Sequence, residues 1–301
     1  MCRLFALAAD QPVTARFWML DAPYSLRYQS QFNADGTGIG WFDERGRPQV
    51  AKRPVAAYES TRFERFAVER RARTLIAHLR LSSGTSTCLE NTHPFEMDGI
   101  IAAHNGVLEV TPELKEQVRR LGTADLVAGT TDTEWMIALI AGETRRASGD
   151  LRDGIVAALS WIARHVPVYS VNLVIGRENE LFAVRLPATN ELWVLDRPAG
   201  AGAAETLEAS SADMTASSDD LQAVHSVVIA SEPMDDSEGW RLMDDGELVH
   251  VDPDGRVTSE SPFPALRKPL RIEDLGLSAA ASQAHAAAVR DRQERRSSVA
   301  A

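Results

Sequence analysis

The sequence predicts an α+β fold in which the helices are grouped between two sets of strands. Short apolar segments fill the first third of the chain, two helical patterns follow, and short apolar segments return after residue 167. Strands and helices that alternate one by one would instead predict a parallel sheet covered on both faces. The chain has 301 residues, 44% hydrophobic and 25% charged, which is typical of a globular protein with a substantial core.

The first third of the chain predicts several strands and one helix. Residues 43–48 are rich in turn formers and separate two extended runs, which indicates a hairpin. Phe63, Phe66 and Val68 are spaced for one helical face, so a helix is predicted within Thr61–Arg73. The predicted strands cover residues 3–8, 38–42, 49–53, 74–81 and 100–104.

Two helices and a second set of strands are predicted beyond residue 130. Thr131–Glu134 has the capping-box pattern, in which a hydroxyl residue is followed three positions later by glutamate. Asp150 begins the second helical pattern and Pro167 ends it. The predicted strands cover residues 168–175, 180–185, 192–195, 227–230 and 248–251.

Charge and cysteine content exclude several classes of function. The net charge of -11 and the pI near 5.2 argue against nucleic acid or an anionic membrane as the main partner, because both are negatively charged. Cys2 and Cys88 are the two cysteines of the chain, too few for a disulfide framework, so we expect a cytoplasmic protein. The apolar run at 4–9 is too short for a secretion signal, and no segment has the apolar length of a membrane span.

The cysteine at position 2 is the most informative feature of the chain. Removal of the initiator methionine is usual before a small residue and would place Cys2 first, with its thiol and a free α-amine on one carbon. The thiol is the most nucleophilic ordinary side chain. The α-amine titrates at about pH 7.7–8.0, so it can accept and return a proton near neutrality. Position alone does not distinguish such a nucleophile from a chance cysteine.

Two downstream segments carry candidate polar groups for binding an amino-acid substrate. Arg80 ends a predicted strand, and Ser82 and Ser83 follow it, so its planar guanidinium could bind a carboxylate or simply pair with a surface acid. Asp132 lies in the first turn of a predicted helix, where it could cap the helix or bind an ammonium group.

Two further segments carry a candidate oxyanion site and its neighbours. Asn105-Gly106 follows a predicted strand and is a common tight-turn pair. Alternatively, the Asn105 amide and the Gly106 backbone N–H could stabilise the oxyanion that forms when an amide is cleaved. His93 and His104 are expected to be structural, hydrogen-bonding residues near this site rather than catalysts.

Together, behind an N-terminal cysteine, these segments resemble the class II glutamine amidotransferases, which are N-terminal-nucleophile hydrolases. Residues 33–41 resemble the Asp-Gly-rich segment of that family, and Ser231-Glu232-Pro233 resembles the late Ser-Glu-Pro segment of its stand-alone members. Residues 20–30 resemble the corresponding segment of the γ-glutamyl amidohydrolases of the ergothioneine pathway. The resemblance covers residues 2–270, which we expect to form one amidotransferase domain.

Two segments of the chain have an unusual composition. Ala199–Asp220 is rich in alanine, serine, glycine and acidic residues, and we expect it to be a flexible surface insertion in the domain. Residues 271–301 are rich in alanine and arginine towards the end and are expected to form a tail that is disordered or partly helical.

The resemblance implies a fold, a set of roles and a reaction. The implied fold is a four-layer αββα sandwich with two antiparallel sheets packed face to face. Ser82 and Ser83 stand where relatives often carry a threonine that assists the carboxylate contact, and Thr37 stands where close relatives often carry tryptophan. The implied roles are the nucleophile for Cys2, carboxylate binding for Arg80, the oxyanion hole for Asn105 and Gly106, and ammonium binding for Asp132.

The implied reaction is hydrolysis of a γ-glutamyl amide through a γ-glutamyl thioester on Cys2, a scheme that requires no metal or other cofactor. The substrate is a small γ-glutamyl compound, either glutamine or a γ-glutamyl conjugate. The chain could act as a stand-alone hydrolase, or as a glutaminase subunit that supplies ammonia to a separate synthetase. A non-catalytic module that binds γ-glutamyl compounds is the alternative of another class, and a homo-oligomer is possible in each case.

Two other chemistries receive little support from the sequence. His78, His93 and His104 could bind zinc, but the chain has no His-Glu-x-x-His or paired Cys-x-x-Cys spacing. Cys88 and His93 could imitate a Cys–His dyad, although Cys88 has no oxyanion element beside it. We therefore expect Cys88 to have no catalytic role.

Overall fold

In the computed structural model, which describes residues 2–82, 84–200, 209–211, 214–216, 221 and 223–283, three helices within residues 112–165 lie between two sets of strands along the chain, and two further helices lie among the first set of strands. The helices are α1 Leu26–Gln29, α2 Thr61–Glu69, α3 Pro112–Arg120, α4 Asp132–Arg146 and α5 Leu151–His165. The strands are β1 Arg3–Thr14, β2 Gly36–Phe42, β3 Pro48–Arg53, β4 Arg71–Arg80, β5 Phe95–Met97, β6 Ile100–Leu108, β7 Val168–Arg177, β8 Glu180–Leu186, β9 Trp193–Arg197, β10 Ala209–Ser211, β11 Met214–Ala216, β12 Ser226–Ala230, β13 Arg241–Leu242, β14 Glu247–Val251 and β15 Val257–Glu260.

The described strands form two large antiparallel sheets and one small pair. The first sheet has the order β13-β9-β12-β1-β4-β2-β3, the second has the order β15-β14-β8-β7-β6-β5, and β10 pairs with β11. In the first sheet, β1 lies between β4 and β12 and pairs with both. The start of β1, next to Cys2, is therefore held within the sheet rather than at its edge.

Alternation of side chains along the strands produces the layers of the fold. Leu4 and Ala6 of β1 pack with apolar residues of β6, β7 and β8 between the two sheets. Phe5 and Leu7 face the other way and pack with residues of α1 and α2. On the far side of the second sheet, α3, α4 and α5 cover β6 and β7. The predicted four-layer αββα sandwich is confirmed.

The cap of α4 directs its first residue towards the strand ends. The Thr131 hydroxyl accepts a hydrogen bond from Glu134 N at 3.3 Å, and the Glu134 carboxylate accepts one from Thr131 N at 3.3 Å, as in a capping box. Glu134 Oε1 also accepts from the backbone N–H groups of Ala128 and Gly129 at 3.0 and 2.7 Å. The predicted capping box is present, and it fixes Asp132 at the start of the helix.

Some predicted boundaries were wrong. The helix predicted over Thr61–Arg73 ends at Glu69, and β4 begins at Arg71. Val68 does not lie on the apolar face as predicted, since it is 45% exposed. Charged residues at the start of β4 concealed the strand, because that part of it is not fully buried. The first strand was predicted to end at Ala8 but continues to Thr14 past a register shift.

The insertion and the tail are described only in part. Most of the predicted insertion, residues 199–220, lies outside the described residues, apart from 199–200 and the short hairpin of β10 and β11. In the tail, residues 277–283 are helical, and residues 284–301 lie outside the described part. The domain boundary at residue 270 stays a prediction. Within the described residues, none of the helices combines the length and apolar character required to cross a membrane.

Candidate active site

Cys2 lies at the end of the first sheet, immediately before β1, where a small cavity opens between the two sheets. Its Sγ accepts a hydrogen bond from Leu81 N at 3.3 Å and lies 3.4 Å from Leu81 O. The cavity has a volume of about 40 Å³. It is lined by Cys2, Arg80, Leu81, Thr85, His93, His104, Gly106, Thr131, Asp132 and Thr133. The structure thus brings the predicted nucleophile together with Arg80, Gly106 and Asp132.

Arg80 is the last residue of β4 and is buried, with 3% of its surface exposed. One guanidinium nitrogen, Nη2, donates to Thr85 O at 3.1 Å and to Thr85 Oγ1 at 2.7 Å. The other, Nη1, is buried and has no hydrogen-bond partner among the described residues. A buried guanidinium donor without a partner is costly. This donor is therefore suited to a carboxylate that enters the cavity.

Asn105 and Gly106 lie inside β6, which continues to Leu108. The prediction that the strand ends at His104 was therefore wrong. The Asn105-Gly106 pair does not form a tight turn. Asn105 is 1% exposed, and its Nδ2 has no hydrogen-bond partner among the described residues. A Cβ added to Gly106 would lie 1.9 Å from Ser170 O and 2.6 Å from His104 Nε2. Glycine is required here because β7 and His104 leave no room for a side chain.

Asp132 occupies the first position of α4, and both its oxygens accept backbone hydrogen bonds. Oδ2 accepts from Leu108 N at 3.0 Å, and Oδ1 accepts from Thr133 N at 2.8 Å. These bonds fix the carboxylate at the cavity wall. Because each carboxylate oxygen has two acceptor sites, capacity remains for an ammonium group.

Three buried histidines lie around the Cys2 cavity. His93 Nε2 lies 3.0 Å from Thr133 Oγ1, and His104 Nδ1 lies 2.9 Å from the same hydroxyl. His78 stacks on His93 with ring centroids 4.3 Å apart, and neither of its ring nitrogens has a partner among the described residues. His93 and His104 line the cavity, and His78 lies behind them.

Burial keeps these three imidazoles neutral. Burial, followed by the nearby His104 and Arg80, lowers the pKa of His78 to about 3. Burial also lowers the pKa of His93 well below its ordinary value, and it lowers the pKa of His104. A base whose conjugate acid is this strong accepts a proton poorly at neutral pH. These residues are therefore better suited to hold the site in shape than to accept the thiol proton.

Opposing effects act on the pKa of the Cys2 thiol. Burial, the largest, raises its pKa, whereas the hydrogen bond from Leu81 N and the charges of Arg80 and Arg3 lower it. The net effect is a raised pKa, so the sulfur is mainly protonated at neutral pH. A base close to the sulfur is required for it to act as a nucleophile.

The loop after β4 supplies a hydroxyl that the sequence interpretation missed. Ser82 Oγ donates to Thr85 O at 2.7 Å, and Ser82 N donates to Asp35 Oδ2 at 2.8 Å. Ser82 thus shapes the loop without lining the cavity, and Ser83 lies outside the described residues. Thr85 instead presents its hydroxyl to Arg80. Thr85 lies two positions after Ser83. The threonine expected from the family resemblance was therefore the sequence signal for this hydroxyl.

Thr133 and two glycines were also missed. Thr133 connects His93 to His104, and its sequence signal was only its place inside the capping box. A Cβ on Gly38 would lie 1.9 Å from His93 O, and one on Gly40 would lie 2.5 Å from Ile101 Cγ2. These glycines of β2 let the second sheet and the His93 loop approach closely.

Neither rival arrangement is assembled. Among the described residues, no group of three histidine, cysteine or acidic side chains is placed to hold a metal ion. Cys88 Sγ lies 3.6 Å from Ser86 Oγ, and His93 bonds to Thr133 rather than to Cys88. His93 Nδ1 has no partner among the described residues, so the two side chains form no dyad.

The segment 277–283 packs beside the cavity although it follows the predicted domain. Ser282 Oγ donates to Leu81 O at 3.5 Å, the carbonyl that also faces Cys2. Ala279, Ser282 and Gln283 are buried. A cavity of about 40 Å³ holds only about three water molecules.

Comparison with known proteins identifies the family. The family profile described as class-II glutamine amidotransferases matches residues 1–271. The chain belongs to the class II glutamine amidotransferases. A relative of this amidotransferase, the γ-glutamyl-hercynylcysteine sulfoxide hydrolase of Mycobacterium tuberculosis (strain ATCC 25618 / H37Rv), is 27% identical over 261 residues, which cover 83% of this chain and 93% of the relative.

Two further relatives of this amidotransferase differ in length. The glutamine–fructose-6-phosphate aminotransferase of Agrobacterium fabrum (strain C58 / ATCC 33970) is 28% identical over 164 residues, which cover 54% of this chain and 25% of that enzyme. The crystal structure of a predicted glutamine amidotransferase from Pseudomonas aeruginosa PA01 has a TM-score of 0.57 at 23% identity and covers 86% of this chain and 100% of that one. The likeness to the solved structure supports the fold.

Proposed function

We propose that this amidotransferase is a stand-alone γ-glutamyl amidohydrolase with Cys2 as its nucleophile. The observation that carries the proposal is the meeting of Cys2, Arg80, Gly106 and Asp132 around one cavity. A basic and an acidic group that share a cavity with a thiol match the carboxylate and the ammonium of an amino-acid head group, whose γ-carbonyl would then lie at the sulfur. The family to which the chain belongs supports the same assignment.

The reaction begins with proton transfer from the Cys2 thiol to an amine. Because His78, His93 and His104 are weak bases here, we assign this role to the α-amine of Cys2, which loss of Met1 would create. The thiolate attacks the γ-carbonyl carbon, and the carbonyl electron pair moves onto oxygen. Asn105 Nδ2, buried and without a partner among the described residues, and the Gly106 N–H would stabilise that oxyanion.

The remaining steps restore the enzyme. The protonated amine donates its proton to the leaving nitrogen, the carbon–nitrogen bond breaks, and a γ-glutamyl thioester remains on Cys2. Water then attacks the thioester with the amine as base, and the sulfur leaves as the thiol. Glutamate and a free amine are the products. Throughout, Arg80 Nη1 would bind the α-carboxylate and Asp132 the α-ammonium.

The substrate class follows from the long match with one relative. That relative is named for hydrolysis of a γ-glutamyl conjugate of a cysteine sulfoxide, and it aligns along 93% of its length. We extend this class to the present chain: a γ-glutamyl amide whose leaving amine is larger than ammonia. The aminotransferase relative matches over only a quarter of its length, so its acceptor chemistry does not transfer.

A substrate panel tests the proposal. The protein is first weighed by intact mass spectrometry, with loss of Met1 expected. Glutamate release is then measured from glutamine, from simple γ-glutamyl amides and from γ-glutamyl-hercynylcysteine sulfoxide, with Cys2→Ala as control. Preference for a conjugate supports the proposal, and the thioester should appear as a mass increase on the Cys2 peptide.

Three results would contradict it. Preferred turnover of glutamine with release of ammonia would favour the glutaminase subunit and a search for a synthetase partner. Binding without turnover, equal in the parent and in Cys2→Ala, would favour a binding module. Full activity in protein that retains Met1 would exclude the α-amine as the base.

A further inference from the structure

A buried ion pair lies directly behind Cys2, outside the cavity. Arg3 Nη2 lies 3.2 Å from Glu232 Oε2, and the two side chains are 5% and 10% exposed. Glu232 follows Ser231 in the Ser-Glu-Pro segment, which the proposed mechanism does not use. Glu232 Oε1 is buried and accepts no hydrogen bond among the described residues. A buried pair of this kind is costly to desolvate and contributes little to stability, so its position calls for a reason.

The same segment holds the backbone of β1. Ser231 N donates to Leu4 O at 3.1 Å, and Ser231 Oγ accepts from Leu4 N at 2.8 Å. The strand that carries Cys2 is therefore fastened two residues after the sulfur by a backbone bond and a side-chain bond. The ion pair holds the same strand at Arg3, the residue between Cys2 and Leu4.

Alternation along β1 places the ion pair and the thiol on opposite faces of the strand. Leu4 and Ala6, which share the face of Cys2, lie between the sheets, whereas Phe5, which shares the face of Arg3, lies under the helices. The pair thus does not line the substrate cavity. The charge of Arg3 still acts on the sulfur, because Arg3 directly follows Cys2 in the chain and the surroundings are dry.

We propose that the Arg3–Glu232 ion pair is a positioning pair, which holds the end of the strand that carries Cys2 and sets the charge beside its sulfur. The proposal rests on the role of Cys2 as nucleophile. Arg3 adjoins Cys2 in the chain and favours its thiolate, and Glu232 pairs with Arg3. Removal of the carboxylate and removal of the guanidinium should therefore move the pKa of the thiol in opposite directions.

All variants keep the other charged and titratable groups that face Cys2. They come from each element around the cavity: Arg80 of β4, His93 before β5, His104 of β6 and Asp132 of α4. Arg3 is among the groups that favour the thiolate of Cys2. Glu232→Gln removes the carboxylate beside Arg3 and should lower the pKa of the thiol, whereas Arg3→Gln removes the positive charge and should raise it.

The test titrates the sulfur directly in a Cys88→Ser background, where Cys2 is the single cysteine. The rate of alkylation by iodoacetamide is measured from pH 6 to 10 and the modified peptide confirmed by mass spectrometry. We expect shifts of about half a pH unit, downward for Glu232→Gln and upward for Arg3→Gln. The double variant Arg3→Gln/Glu232→Gln should lie between the two single variants, and Arg3→Lys, which keeps the charge, should not shift.

Shifts in the same direction, or no shift, in folded single variants would overturn the proposal, because the pair would then not set the charge beside the sulfur. Thermal unfolding of each variant identifies those that fail to fold, and Arg3→Lys with Glu232→Asp then serves as the conservative set. Turnover provides a second readout: the single variants should lower kcat and leave KM within about twofold, because the pair does not contact substrate. Equal loss in kcat and gain in KM would also contradict the positioning role.

The alkylation readout separates this inference from the proposed function. If the parent fails to form a γ-glutamyl thioester, the proposed function fails, and the thiol titration still reports on the pair. If the thioester forms and the titration shows no opposite shifts, only the present inference fails.

Discussion

Both ends of the sandwich hold a cavity lined by arginine and acidic residues, but they differ in a way that volume does not reveal. The cavity at the end of Cys2 has a volume of about 40 Å³, whereas the one at the other end, between the β2–β3 turn and the start of β4, has about 710 Å³. The large cavity is lined by Arg45, Arg71, Arg73, Asp43, Glu44 and Glu178, among others. Size alone would select the end that does not contain Cys2.

The two ends differ in how their polar groups are satisfied. At the large cavity, Asp43 accepts hydrogen bonds from the backbone of Arg45 and Arg47 and from the Arg47 side chain, within one turn. At the small cavity, Arg80 Nη1 is buried without a partner among the described residues, and so is Nδ2 of Asn105, which does not line the cavity but adjoins His104 and Gly106 of its wall. Native proteins rarely leave buried donors unpaired. Thr74 Oγ1 at the large cavity is also buried without a partner among the described residues, so an unpaired hydroxyl does not separate the two ends. The comparison teaches that an unpaired guanidinium beside a thiol, rather than open volume, marks the candidate active site.

The largest expected effect is the loss of activity on removing the sulfur. Cys2→Ala should lower glutamate release by more than about a thousandfold, because the thioester cannot form. Thermal unfolding should be nearly unchanged, since the small side chain is replaced by one similar in size. Cys88→Ser is the matched control at the chain's other cysteine and should keep parent activity. Comparable loss in both variants would place the nucleophile elsewhere.

The next largest effect tests the unpaired donor of β6. Asn105→Ala should lower kcat by about a hundredfold to a thousandfold, the range found when one oxyanion donor is removed. Asn179→Ala, at the large cavity, is the matched control and should stay within about twofold of the parent. Equal loss of activity in both variants, or an effect of Asn105→Ala on KM alone, would contradict the assignment of the active site to the Cys2 end.

The stack of histidines gives the small-cavity end a stability that depends on pH. The pKa of His78 is about 3 in the folded protein and 6.5 in the unfolded chain, so between these values only the unfolded chain is protonated. Stability is therefore constant above about pH 6.5 and falls as the pH drops towards 3, by about 1.4 kcal/mol per pH unit for this group. His78→Leu should flatten that slope in denaturant unfolding between pH 6 and 4.

Asp43→Asn is the control at the other end. The pKa of Asp43 is lowered from 3.8, first by its hydrogen bond with the Arg47 side chain, so its contribution is lost only as the pH falls below about that value. The slope between pH 6 and 4.5 should therefore match the parent. An unchanged slope in His78→Leu would show that this imidazole is not held neutral.

Much of the small-cavity end could be predicted from sequence because its groups have local signatures. The capping box places Asp132, and strand ends place Arg80. The roles of Thr133 and of the Ser231–Leu4 contact could not be predicted, because each depends on residues brought together from distant parts of the chain. Thr85 lies only five residues after Arg80, and it was missed because the conformation of the intervening loop has no signature in the sequence. The boundary between α2 and β4 was missed because the first strand residues are partly solvated and carry charges.

The smallest effect separates charge from geometry at Arg80. Arg80→Lys keeps the positive charge but replaces a planar guanidinium, held by Thr85 through Nη2, with a single ammonium group. We expect KM to rise about tenfold, the change produced by loss of one charge-assisted hydrogen bond of about 1.4 kcal/mol, with kcat nearly kept. Arg73→Lys is the same substitution at the large cavity, where nothing in the proposed reaction uses the guanidinium, and should leave KM unchanged. A KM for Arg80→Lys equal to the parent value would remove the carboxylate contact from the proposed site and leave Asp132 as the group that selects the substrate head.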